Sequence, residues 1–170
     1  MASSMARSIA ATQNSVASVY DQVEHPMATV DIASFFKEPV SSAGLFFPLN
    51  YIIAVFPTPA QALDAQQALK RAGFSPDEIL VPAHPDVLAF LEDFRAQAGV
   101  TAGVMRGLSR MLGDDATFVD RDIEHARMGA GFLFVHCATE ESKEQIRELA
   151  RPFEPITMRW YQKGGIESLI

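Results

Sequence analysis

A chain of 170 residues, 48% hydrophobic and 21% charged, has the makings of one soluble globular domain with its own core. Its formal net charge of −7 argues against a nucleic-acid partner, because phosphate recognition wants a basic face. A single cysteine, Cys137, excludes a disulfide framework and fits a reducing compartment, and no apolar run approaches the ~20 residues that span a bilayer. The longest such run, LFFPLNYIIAVF, is broken by Pro48 and Asn50. The opening MASSMARSIAATQNSVASVY lacks a continuous apolar segment, so no secretory signal is expected and the cytoplasm is the expected location.

Residues 1–44 carry no sustained periodicity and are rich in Ser, Ala, Thr and Val, which predicts a flexible arm. Its later part, DIASFFKEPVSSAGLFFPL, holds Phe35, Phe36, Phe46 and Phe47, too apolar for a solubilising tail. Such a segment either drapes over the chain's own core or docks on a partner.

The domain proper is expected over 45–161. YIIAVF reads as a short buried strand from its length and β-branched content. Thr58-Pro59-Ala60-Gln61 then supplies a cap, a proline at the first helical position and a glutamine at the third. The helix carries Ala62, Ala65, Leu69 and Ala72 on one face and stops at Gly73; EILVP is a second short strand. The same order returns later, with FLFVHC as strand, Thr139 as cap, Ile146, Leu149, Ala150 and Phe153 as the apolar stripe, and ITMRWY as closing strand. Two βαβ halves predict an α+β, ferredoxin-like sandwich, a four-stranded antiparallel sheet with both helices on one side.

Between the halves, at about 84–129, lies a helical insertion made of DVLAFLEDFRAQ, VTAGVMRGLSRMLG and FVDRDIEHARM. His84 reads as the turn residue that opens it. Residues 162–170 are expected as a C-terminal tail. The strands are apolar at nearly every position, whereas a solvated face would alternate with polar residues. The second face of the sheet is therefore expected to be covered, by the insertion and the arm, with oligomerisation or docking on a larger complex adding to it.

The helix AQALDAQQALKRAGF leading to the strand DEILV, and ARMGAGFLFV followed by acidic residues and a helix, resemble the small bacterial general-stress-protein family of heat-induced type. The resemblance covers about Tyr51 to Tyr161. It implies a stress-associated, non-enzymatic role and brings no catalytic residues with it. The counterpart of that family's long glycine-rich segment is short here, and QKGGIESLI differs from its ending.

Candidate chemistry is sparse. Gly99, Gly103 and Gly107 recur every four residues, which on a helix lets another backbone approach one face, whether the chain's own sheet or a second molecule. Asp122 and His125, with Asp120 and Glu124, stand at metal-binding spacing on one helix. An exposed charged helix shows the same letters, with Arg121 and Arg127 at hand to pair. His136 and Cys137 are adjacent in a strand and point to opposite faces, so they cannot form a nucleophile–base pair; Cys137 goes with Leu133 and Val135, His136 with Phe132 and Phe134. No phosphate-cradling glycine loop, G-x-S-x-G or C-x-x-C is present. The expectation is a binding, regulatory or accessory-subunit protein acting through protein–protein contacts or as a homo-oligomer, with no cofactor, metal or catalytic group. The interaction residues are Phe35, Phe36, Phe46, Phe47, Gly99, Gly103 and Gly107. The alternative is a small-ligand-binding or metal-dependent enzyme using His84, His136 and the Asp122/His125 helix.

Overall fold

Asn50, at φ 63°, turns the chain into its first strand, and its main chain is locked on both sides: its N–H donates to Tyr161 O at 2.8 Å and its carbonyl accepts from Cys137 N at 2.6 Å. Asparagine tolerates this left-handed conformation better than a branched residue would. In the computed structural model, which describes residues 31–37, 48–101 and 115–170, the order is α1 (Ile32–Phe35), β1 (Tyr51–Phe56), α2 (Pro59–Arg71), β2 (Ile79–Leu80), α3 (His84–Thr101), α4 (Asp115–Arg127), β3 (Gly131–His136), α5 (Glu140–Ala150), β4 (Thr157–Gln162) and β5 (Gly165–Ser168). The molecule is α+β, and its strands form one antiparallel sheet in the order β2-β3-β1-β4-β5.

Both repeated helices start alike. Thr58 and Thr139 sit in extended backbone, at φ −138° and −132°, and each hydroxyl accepts from the N–H three residues on, Gln61 at 3.3 Å and Ser142 at 3.1 Å. That bond satisfies an otherwise orphaned donor of the first turn and fixes where the helix begins. Gly131 starts β3 against the first of these caps. A Cβ there would lie 2.5 Å from Thr58 O and 2.7 Å from Pro59 Cα, so only glycine lets α2 and β3 approach this closely.

Side-chain alternation divides the core in two. On the first face, Ile52, Ala54, Phe56, Leu133, Val135, Met158 and Trp160 pack beneath α2 and α5 with Ala62, Ala65, Leu69, Ile146 and Ala150. On the second, Tyr51, Ile53, Val55, Phe132, Phe134 and Tyr161 meet Ile32 and Phe36 of the arm, Val87 and Leu91 of α3, and Ile123, Ala126 and Ala130 of α4 and its exit. Among the described residues the second face is covered, by Ile32 and Phe36 and by α3 and α4.

Three expectations change. Residues 165–168, expected within a tail, pair with β4 as a fifth strand through Trp160↔Glu167 and Tyr161↔Ile166. His84 is the first residue of α3 rather than part of a turn before a helix at Asp86, and α3 runs through Gly99 to Thr101. Within the arm expected to be flexible, Ile32–Phe35 is a helical turn capped by Asp31, whose carboxylate accepts from Ala33 N at 3.1 Å and from the Ser34 hydroxyl. Phe46, Phe47, Gly103 and Gly107 lie outside the described residues.

Candidate protein-contact site on the second face

The arm reaches the sheet through an aromatic cluster. Phe36 stands 4.8 Å from the Tyr51 ring and 5.6 Å from Phe134, and stacks on Phe90 of α3 at 6.1 Å. Phe35 meets Tyr51 edge-on at 5.6 Å. Edge-to-face pairs at these separations add to the gain from burial, and Phe36 is 3% exposed. The Tyr51 hydroxyl donates to Phe35 O at 3.2 Å and accepts from Lys37 N at 3.0 Å, so one side chain holds the main chain leaving α1. Lys37 continues to Glu78 at 3.9 Å, and His136 Nδ1 lies 3.4 Å from the same carboxylate.

α3 and α4 lie beside this cluster and are tied antiparallel. His84 Nε2 is 2.5 Å from Ala126 O, Arg127 pairs with Glu92 at 2.9 Å, and Arg95 meets Asp120 at 3.4 Å. The two surface pairs are solvent-exposed and worth little individually.

Beneath them is a feature sequence reasoning missed. Arg159 lies in the row Leu80–Phe134–Ile53–Arg159 across the sheet, pointing into the second core. Its guanidinium binds the Asp122 carboxylate of α4, and Phe118 lies over it at 5.0 Å. Both residues are buried, at 3% and 5% exposure, which overturns the expectation that Asp122 belongs to a solvated helix face. Asp122 Oδ1 has no hydrogen-bond partner among the described residues. Burial, opposed by Arg159, pushes the Asp122 carboxyl above its usual range. The one available sequence signal was an arginine between Met158 and Trp160 in the closing strand.

The predicted chemistry residues are scattered. His84 is committed to a carbonyl of α4, His136 to Glu78 and Tyr51, and Asp122 to Arg159. Among the described residues no group of three or more His, Cys, Asp or Glu is gathered to hold a metal. Cys137 is fully buried with Leu133 and Val135, as alternation predicts, and burial pushes its thiol up to about 12. A thiol held that far from ionisation is a packing group at neutral pH. No helix among the described residues is long and apolar enough to cross a membrane. Comparison with protein-family models, curated proteins and solved structures finds no match for this chain.

Proposed function

We propose that this chain is a non-enzymatic binding or regulatory protein, an accessory subunit that works through protein–protein contacts. The observation that carries it is the docked arm. A four-residue helical turn has no stability of its own, yet Ile32–Phe35 is ordered against Tyr51, Phe90 and Phe134. The second face is therefore built to bind a short peptide segment, and it does so within the chain itself.

The frame is ferredoxin-like. The order β2-β3-β1-β4 with α2 and α5 on one face is what two interleaved βαβ halves produce, elaborated by β5 at the edge and by an insertion of α3 and α4 between β2 and β3. The resemblance of AQALDAQQALKRAGF and ARMGAGFLFV to the general-stress-protein family supports a stress-associated role, and the single cysteine supports a cytoplasmic location.

Affinity purification from the native host, with and without residues 1–44, followed by mass spectrometry, tests this reading. A protein recovered in stoichiometric amount, changed by loss of the arm, is the expected result. A chain that retains no protein but carries one zinc, iron or manganese, lost on His125→Ala, would sink it.

A further inference from the structure

The contacts that seat the arm do not depend on its being joined to the same chain. Ile32 and Phe36, four residues apart, supply the apolar anchors, and Tyr51 supplies the polar clamp from the sheet. None of these contacts is a ladder hydrogen bond of the sheet. This is the helix-in-groove mode of peptide recognition, read as anchors at i and i+4. The groove lies between β1 and β3 on one side, through Tyr51 and Phe134, and α3 on the other, through Phe90. The salt bridge of Lys37 with Glu78 closes the end at which the segment leaves.

Ten residues, 38–47, separate Lys37 from Pro48, where the described domain begins. Ten residues span at most about 33–36 Å, a reach that extends to a neighbouring molecule as well as to the chain's own groove. We infer that the groove between the sheet and α3 is a recognition site for a one-turn Asp-Ile-x-x-Phe-Phe-Lys segment, filled in cis by residues 31–37, and in trans by the same segment of a second copy. This rests on the protein-contact reading above and names the partner. Exchange of an identical element is an economical route to a dimer, because every contact already exists in the monomer. Tethering holds the cis segment at an effective concentration on the order of millimolar, so trans occupancy emerges where a chain whose segment has lost its own groove meets a chain whose groove has lost its segment.

The test uses the full-length chain carrying Phe36→Ala, with Ile32→Ser as a second arm variant should the first lose its native circular dichroism. The probe is a labelled peptide of residues 29–39, TVDIASFFKEP, followed by fluorescence anisotropy. Saturable binding to the variant, about tenfold or more tighter than to the wild type whose own segment competes, is expected, and Phe36→Ala in the peptide should abolish it. No saturation, or equal affinity for variant and wild type, overturns the groove. Mixing the variant with a chain carrying Phe90→Asp, whose segment is intact but whose own groove is impaired, should then yield a two-chain species by sedimentation that excess peptide dissolves. Peptide binding without that species would overturn the second copy as occupant and assign the groove to a foreign segment. Failure of both measurements while a stoichiometric partner is still captured from the host removes this inference and leaves the accessory-subunit reading standing.

Discussion

The two faces of one sheet are closed in different ways. The first is closed by α2 and α5, with Ala62, Ala65, Leu69, Ile146 and Ala150 set at helical spacing over Ile52, Leu133 and Met158. Its ionic group stands at the edge of the sheet, where Lys143 lies 4.9 Å above Trp160 and meets Glu140, Glu144 and Glu167. The second face is closed by the arm, α3 and α4, and its ionic group, Asp122 with Arg159, is buried in that layer. α2 and α5 bring their own apolar stripe. The arm, α3 and α4 are held by specific clamps, and here these are Tyr51, His84 and the buried pair.

The largest expected effect tests the central clamp. Asp122→Ala leaves the Arg159 guanidinium buried without its carboxylate, and breaking a buried pair from one side costs about 3–5 kcal/mol. Urea unfolding should report that loss. A loss under about 1 kcal/mol would place the pair with surface ion pairs and erase the distinction between the faces.

Next comes the arm. Burying a phenylalanine side chain is worth roughly 1.5–3 kcal/mol, so Phe36→Ala should release the segment. Hydrophobic-dye fluorescence should rise and the amides of 32–37 should lose exchange protection, while those of α2 and α5 stay protected. Deleting residues 1–44 should do the same and promote association. A truncated chain that remains monomeric, binds no dye and melts at an unchanged temperature would show that the second face needs no arm.

The pH dependence of the buried pair gives a smaller signal with a definite sign. Burial raises the Asp122 carboxyl above its reference of 3.8 in the folded state, so the native chain holds a proton that the unfolded chain releases in that window. Stability from this group therefore falls as pH rises through the window and is recovered as pH drops toward 3.8. Comparing wild type with Asp122→Asn across mildly acidic pH should show the wild type gaining on the variant as the solution is acidified. A gain in the opposite direction would mean that Arg159 outweighs desolvation.

The sequence carried the first face almost completely and the second only in outline. Thr58 and Thr139 announce two helices, and apolar runs such as FLFVHC announce strands, because local hydrogen bonding and burial set them. The need to cover a second apolar face was also legible, since YIIAVF and FLFVHC are apolar at nearly every position. What could not be read was which distant groups meet there. Asp122 and Arg159 are 37 positions apart, Tyr51 and Lys37 are 14, and neither pair leaves a local pattern. The β5 segment was missed because four residues with a glycine at φ 128° look like a tail until β4 is placed beside them.

The smallest expected effect is at the rim of the first face. Lys143 is buried in its stem and ring contact, but its ammonium faces three carboxylates that are each at least 40% exposed, Glu167 lying at 3.0 Å. Glu167→Gln leaves Glu140, Glu144 and the Trp160 ring in place, so the lysine keeps its charge and most of its partners. Exposed carboxylates lose little water when they pair, and such pairs are worth roughly 0–1 kcal/mol. The Lys143 ammonium is held above its ordinary value of 10.5, first by the Glu140 hydrogen bond, so its contribution is fully present at neutral pH and is lost only in strong alkali. Unfolding free energies from urea titration at neutral pH should therefore differ by less than about 1 kcal/mol between Glu167→Gln and wild type, and added salt should narrow the gap, because water reaches these carboxylates. A loss near that of Asp122→Ala would mean that the first face, too, depends on a desolvated ion pair.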